Sequence, residues 1–335
     1  MNARPLGVSV MPLDNRREAL LGVGAIAEQL GYGAYFLPET WAHDVTVLMT
    51  EMAIRTDRLA LGTGILGVWG RSAGTLAMAA ASLSEVSAGR FVLGLGASTA
   101  QLTEGLHDVP FIAPLAKMRR TVTQVRALLG GERVPLAVAT GARPLKLNLA
   151  PTGAVPIFLA ALTDESVRLA GEVADGWLPF LYPRRSLAQG LELLREGAAR
   201  SGDPGRRVWV YPTVPTVVAD DPAEARAGAA WFVAFYLTTM GPLYRRSLAR
   251  QGFGREIDAV LGANSPKFTG EVPPAADSLL EELTAFGAPA EARERLAQWH
   301  AAGADMPLVF LRPNLTPEQV KRTLGAFAPM LESRA

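Results

Sequence analysis

Residues 59–65, Leu59-Ala60-Leu61-Gly62-Thr63-Gly64-Ile65, and residues 91–96, Phe91-Val92-Leu93-Gly94-Leu95-Gly96, are short apolar runs in which polar and apolar residues do not alternate. A strand of that kind is covered on both faces, as happens where helices wrap a parallel sheet. Working outward, the same pattern recurs at Leu6–Val10, Ala34–Leu37, Val155–Ala160, Gly176–Phe180, Val208–Val217 and Pro307–Leu311, with amphipathic helical stretches between the runs. That makes eight predicted strands, the number that closes a (β/α)8 TIM barrel. The first strand ends Ser9-Val10-Met11-Pro12 and lacks the glycine fingerprint of an open dinucleotide-binding sheet. The expected fold is therefore α/β, one TIM-barrel domain over residues 1–335, with insertions after strands 4 and 7 at about 96–154 and 219–306.

Helix ends are legible between the runs. Asn15 with Glu18 three residues on reads as a capping box, Leu20, Val23, Ala27 and Leu30 form an inner stripe, and Gly31 is placed for a C-terminal cap. Asp164 opens another helix, and Asp221-Pro222 opens a third with proline in the first turn. The first insertion carries Gly130-Gly131-Glu132 and a run, Val134–Pro156, that reads as a short hairpin near the barrel mouth. The second carries one long apolar helix, Ala223 to Arg250, and the turn-rich Gly262–Pro274.

Composition narrows the chemistry. With 33 basic and 32 acidic side chains the net charge is +1, which offers no field for a nucleic-acid backbone or an anionic membrane. No apolar run reaches membrane-spanning length, and Asp14, Arg16, Arg17 and Glu18 interrupt any signal-peptide core, so a soluble cytoplasmic protein is expected. There is no cysteine, which removes disulfides, thiolate metal sites and cysteine nucleophiles. His43, His107 and His300 lie too far apart in sequence to suggest a zinc site, so no metal is assigned; carboxylate-bound magnesium stays open. Arginine outnumbers lysine 29 to 4, so each arginine, the pair Arg184-Arg185 included, is discounted as a binding signal.

In a barrel of this kind reacting groups follow the strands' C-terminal ends. After strand two come Glu39, Thr40, Trp41, His43 and Asp44; after strand three Gly64, Ile65 and, further on, Trp69; after strand four Gly96, Ala97 and Ser98; after strand five Ala160, Ala161, Leu162 and Thr163. The loops after strands four and five are small-residue segments leading into helix N-termini, where free N–H groups can hold a phosphate. Glu39, Thr40 and His43 are the candidates for proton transfer, with a solvated acid or a surface imidazole as the plainer alternatives. Asp44 reads equally as a helix cap. Trp41, Trp69 and His107 are candidates for a substrate pocket, while Trp177 is expected in the barrel wall and His300 in a structural role.

Four of these pieces, Leu61-Gly62-Thr63-Gly64-Ile65, Ser87 through Gly96, Leu159-Ala160-Ala161 and Ala174-Asp175-Gly176-Trp177, occur in the order and spacing of the bacterial-luciferase-like family. Over Gly7 to about Pro313 the chain resembles that family, and most closely its coenzyme F420-dependent oxidoreductases; Tyr236–Met240-Gly241 through Gly252-Phe253-Gly254 is similar to the same branch. The resemblance implies a non-proline cis peptide and bulge at Gly64-Ile65 behind the cofactor ring. It further implies cofactor contacts from Ser9, Gly96, Ala97, Ser98, Ala160, Ala161, Leu162 and Thr163, and pairing into a homodimer through barrel helices. The sequence departs from the pattern where Thr40, not histidine, follows Glu39, where Ser98-Thr99 replaces an expected glutamate, and where Asp164 and Glu165 put negative charge beside the second phosphate loop. These departures argue against sugar-phosphate dehydrogenase activity. The first reading is a hydride-transferring F420 enzyme acting on a small organic substrate. The alternatives are an FMN-dependent monooxygenase supplied by a reductase partner, and a non-catalytic flavin-binding barrel.

Overall fold

The structure, a computed structural model, describes residues 5–203 and 205–331. Its strands are β1 Gly7–Val10, β2 Ala34–Leu37, β3 Ala60–Thr63, β4 Leu66–Gly67, β5 Phe91–Gly96, β6 Ile157–Leu159, β7 Gly176–Trp177, β8 Trp209–Val210, β9 Thr213–Val218, β10 Ala285–Gly287 and β11 Leu308–Leu311. All pairings are parallel. They run β1-β2-β3-β5-β6-β7-β8 on one side of β1 and β11-β9-β10 on the other, with β4 added to β5. Tyr211 and Pro212 alone separate β8 from β9, so the run 209–218 pairs with β7 on one flank and β11 on the other. The bridge Phe180–Thr213 prolongs the β7 side. The result is a curled, parallel, TIM-barrel-like α/β sheet with helices packed outside it.

Alternate residues point inward and fill the ring. Ala34, Phe36, Phe158, Leu178, Met306 and Leu308 form the inner cluster, with Ile65 and Tyr211 against it. Phe158 meets Tyr211 at a centroid distance of 5.0 Å and Phe36 meets Tyr211 at 6.1 Å, both edge to face. Gly62 is glycine because a Cβ there would lie 2.3 Å from the Phe36 ring. Buried at about 1.5–3 kcal/mol per large apolar side chain, this plug makes the lower barrel solid and leaves only its upper rim for chemistry.

The predicted third strand is broken in two. Leu61 pairs with Phe91, but Leu66 pairs with Leu95, so the β3-to-β4 run holds one residue more than the β5 segment it faces: a bulge. The Thr63 side chain bridges the gap. Its Oγ1 donates to Gly94 O and accepts from Gly94 N–H, each at 2.8 Å, with Thr63 fully buried. The bulge the resemblance implied is thus present, but the cis peptide is not, since Ser265–Pro266 is the cis bond among the described residues. Gly64 N–H donates to Leu37 O at 2.8 Å and Ile65 O accepts from Glu39 N–H at 3.2 Å, so the bulge is satisfied with a trans bond.

Three local expectations change. The first helix is capped at Arg16, not Asn15, because Asp14 is occupied by Arg16 and no side chain caps the helix end. Residues 130–156 form no hairpin: Val134 N–H reaches Leu145 O, but the prolines at 135, 144, 151 and 156 remove ladder donors. The long helix is two, Pro222–Thr239 and Pro242–Arg250, split where Gly241 takes φ +79° and Pro242 starts the new helix. Asp221 does cap the first of these, and Thr163, with Ser166, caps the helix that Asp164 was expected to open.

A Thr63→Val substitution keeps the shape but orphans both buried groups of Gly94, at a cost of about 2–4 kcal/mol. Gly94→Ala should cost more, because a Cβ would stand 1.9 Å from Thr63 O. Urea unfolding checks both; an unchanged midpoint for Thr63→Val contradicts the bridging role.

Candidate active site

The loop after β2 is organised by an arginine contributed by the loop after β4. Arg71 engages both oxygens of Glu39, Nη2 to Oε2 at 2.9 Å and Nη1 to Oε1, and its Nη2 also reaches Asp44 Oδ2 at 2.9 Å. The Glu39 and Arg71 side chains are only 13% and 16% exposed, so water screens this pair poorly. Glu39 Oε2 takes a further hydrogen bond from Val45 N–H at 3.0 Å. Asp44 caps the helix Val45–Arg55 through Thr46 N–H at 2.9 Å. The hydrogen bond to Glu39 raises Arg71 above its ordinary pKa, with Asp44 adding to it. For Asp44, burial pushes upward, but hydrogen bonds from Thr46 and Arg71 outweigh it and hold the carboxyl below its usual 3.8.

Thr40 Oγ1 donates to Pro12 O at 3.1 Å, and His43 Nε2 lies 2.9 Å from Asn15 O, which requires that nitrogen to carry the proton. Both tie the loop after β2 to the loop after β1. Trp41 stands 56% exposed beside them.

Across the rim, Trp69 Nε1 donates to Ala97 O at 2.8 Å, joining the loops after β4 and β5. The Trp69 ring packs on Phe111 at 5.4 Å, with Lys117 Nζ 5.7 Å from its centroid. Exposed His107 lies flat on Gly70, where a Cβ would come within 2.6 Å of its ring. The structure therefore brings Trp69, His107 and Ala97 together, and groups Glu39 with Asp44 through Arg71. Discounting arginines on abundance hid Arg71; its place, as far past its strand as a loop can reach back, was the available signal.

The small residues form a crescent. A Cβ on Gly64 would stand at ordinary contact distance, 3.4 Å from Pro38 N and 3.6 Å from Phe36 Cβ; Gly96 faces Ile65 and Ala160. Ser98 adopts φ +58°, and Thr99 caps the helix Ala100–His107. The loop after β6 is already served: Leu162 and Thr163 N–H both donate to Ser166 Oγ, and Asp164 and Glu165 occupy the first turn. An anion would meet less resistance at Ala97 and Ser98 than at Leu162 and Thr163. Ser9, 3% exposed, is in register with Phe36 and Phe310 and shares their inward face.

The opposite half of the rim is roofed. Helix Pro222–Thr239 sets Phe232 against Phe310 at 5.6 Å and Tyr236 against Phe180 at 4.7 Å, and Ser247 of the next helix donates to Leu162 O at 3.2 Å. The arginines after β7 hold this roof: Arg184 pairs with Glu282, and Arg185 lies 4.0 Å from the Phe253 ring centroid. His300 sits near a helix end, Nδ1 3.1 Å from Ala304 O, and Trp177 is fully buried in the wall, donating to Ala161 O.

A family model for luciferase-like monooxygenases matches residues 6–306. Over 308 residues the chain is 32% identical to a candidate coenzyme F420-dependent oxidoreductase of Mycobacterium tuberculosis, covering 85% of this chain and 88% of that one. The F420-dependent tetrahydromethanopterin reductase of Methanopyrus kandleri superposes with a TM-score of 0.74 at 16% identity, covering 98% of both chains. The FMN-bound oxygenating component of a Pseudomonas putida 3,6-diketocamphane monooxygenase does so with 0.73 at 16%, covering 99% of both.

Because the folded-state pKa of Asp44 is depressed, its charge stabilises the protein above the ordinary value of 3.8, and that contribution disappears as pH falls through the lowered one. Asp44→Asn retains a good cap, so its stability deficit should be largest near neutral pH and close in acid. A deficit independent of pH in urea titrations would contradict a contribution from the Asp44 charge.

Proposed function

Because the chain belongs to the luciferase-like monooxygenase family, we propose that this oxidoreductase uses coenzyme F420 and exchanges a hydride between the deazaflavin and a small organic substrate. The observation that carries the choice of cofactor is the 32% identity, over 85% of the chain, to the mycobacterial F420-dependent relative. When bound, the deazaflavin supplies the hydride chemistry. The chain's residues position it. Gly64 and Ile65 form the bulged floor, Gly96, opposite Ala160, makes room for the Ile65 side chain, and Ala97 and Ser98, whose N–H groups have no acceptor among the described residues, face the anionic part. Trp69 fixes the Ala97 peptide by holding its carbonyl. Leu162, Thr163 and Ala161 complete the rim, and Ser9 faces the interior below it.

Glu39, held by Arg71, is a fixed carboxylate at the mouth, and Thr40 and His43 keep its loop in place; Trp41, Trp69 and His107 border the substrate side. The fold is one (β/α)8 domain with residues 96–154 and 219–306 as insertions. We further propose a cytoplasmic homodimer, with exposed Val47, Ile54 and Met78 on the neighbouring helices Val45–Arg55 and Ala73–Val86 as apolar surface that pairing would cover.

Fluorescence titration with F420 and with FMN tests the cofactor. F420 should bind and FMN weakly or not at all; tight FMN binding favours the monooxygenase, and binding of neither favours a non-catalytic barrel. Gly64→Leu, whose Cβ the backbone admits, should weaken F420 binding by roughly tenfold or more with the fold intact.

A further inference from the structure

A cavity of about 320 Å³ lies outside the barrel, between the first helix, Arg17–Gln29, and the helix Pro317–Gly325. Its floor is Val10 and Leu311, which pair in register where β1 and β11 end. Side chains alternate across a strand, so where Ser9 and Phe310 face the barrel interior, Val10 and Leu311 face the helix layer. The sheet therefore separates this cavity from the mouth. Gly22 and Ile26 line one wall, Leu315 and Val320 the other. The volume is that of a small-molecule site, and at about 30 Å³ per non-hydrogen atom it accommodates roughly ten of them.

Gly22 keeps the cavity open. Two glycines interrupt the first helix, each weakening it relative to alanine. Gly24 is needed for packing, because a Cβ there would stand 2.5 Å from Met52 Cε. At Gly22 nothing lies within 4 Å of a notional Cβ and the backbone is not left-handed, so neither packing nor conformation requires glycine; a larger side chain would take up the cavity itself. The lining is apolar except for four charged side chains, Asp14, Arg16, Glu18 and Arg312. Asp14 is fully engaged, accepting from Arg16 Nε at 2.9 Å, from Arg16 Nη2 at 2.6 Å, and from the backbone N–H groups of Arg16 and Asn314 at 3.1 Å each. Arg16 Nη2 also donates to Leu315 O at 3.2 Å. Glu18 is held by Arg17, with Arg55 Nη1 3.8 Å away. Each acid thus has its own arginine, whereas exposed Arg312 has neither hydrogen bond nor ion pair among the described residues. The charge left over at this cavity is a guanidinium with its donors free.

We propose that this cavity is a binding site for a medium-chain carboxylate, its apolar tail lying between the two helices along Gly22 and its carboxylate on Arg312. The tail covers apolar lining that water would otherwise meet, and the carboxylate forms a charge-assisted hydrogen bond with the unpaired guanidinium. An amine of the same length would bring a second cation to that guanidinium. The inference goes beyond the oxidoreductase reading and stands without it, since none of the residues assigned to the mouth lines this cavity.

The test is isothermal calorimetry on the whole protein with octanoate, 1-octanol and octylamine. The wild type should bind octanoate saturably, and about 3- to 10-fold more tightly than the alcohol or the amine. Arg312→Gln should weaken octanoate binding by about the same factor and leave 1-octanol binding unchanged. Gly22→Leu, which fills the cavity, should weaken octanoate and 1-octanol binding by about tenfold or more while the thermal midpoint holds or rises. Octanoate bound in the barrel mouth instead would bind Gly22→Leu as it binds the wild type, which overturns the proposal. So does a wild type that does not bind octanoate, equal affinity for the three probes, or an octanoate affinity that Arg312→Gln leaves unchanged. Arg312→Gln, at an exposed position, carries the test if Gly22→Leu does not fold.

Discussion

The upper rim depends on how one threonine reconciles two strands of unequal length. The run from β3 to β4 carries an extra residue against β5, and an unbridged bulge would leave Gly94 with an unpaired donor and acceptor in a fully buried place. Thr63 answers both with a single hydroxyl, and the approach is close enough that only glycine fits opposite. Everything beyond the bulge is set by it. Gly64 and Ile65 are bonded to Leu37 and Glu39, which fixes where the loop after β2 leaves the barrel, and β4 carries the chain on toward Trp69 and Arg71.

Charge is then distributed by local contacts. A chain of net charge +1 exerts no long-range pull on an anionic cofactor, so attraction has to come from backbone amides and nearby side chains. Arg71 is unavailable for it, being shared by two carboxylates. The loop after β6 is screened by its own cap and two acids, which leaves the loop after β5, where Trp69 immobilises the peptide next to Ser98. Fixed negative charge thus sits after β2 and after β6, while Ala97, Ser98 and Thr99 after β5 carry none.

The sequence made the strands readable because a parallel strand covered on both faces is apolar at every position, and that signal survives without any alignment. Asp44 and Asp221 were legible as caps for a similar reason: capping is decided within three residues. The bulge came through the family resemblance alone; the Thr63 bridge across it, the role of Arg71 and the shift of the first cap from Asn15 to Arg16 were not legible, because each depends on a partner many residues away or on competition for Asp14. Abundance also misled: in a chain so rich in arginine, composition cannot distinguish Arg71, which organises the rim, from Arg184, which braces a helix.

Helix Pro222–Thr239 shows the same limit from the opposite direction. Its apolar residues surround the whole helix, so periodicity identifies a buried helix without saying which side faces the site. One face packs onto Leu279, Leu280 and Leu283 and the other presents Phe232 and Tyr236 to the rim, both apolar in composition and opposite in purpose. Only the partners distinguish the two faces, and those lie many residues away in sequence.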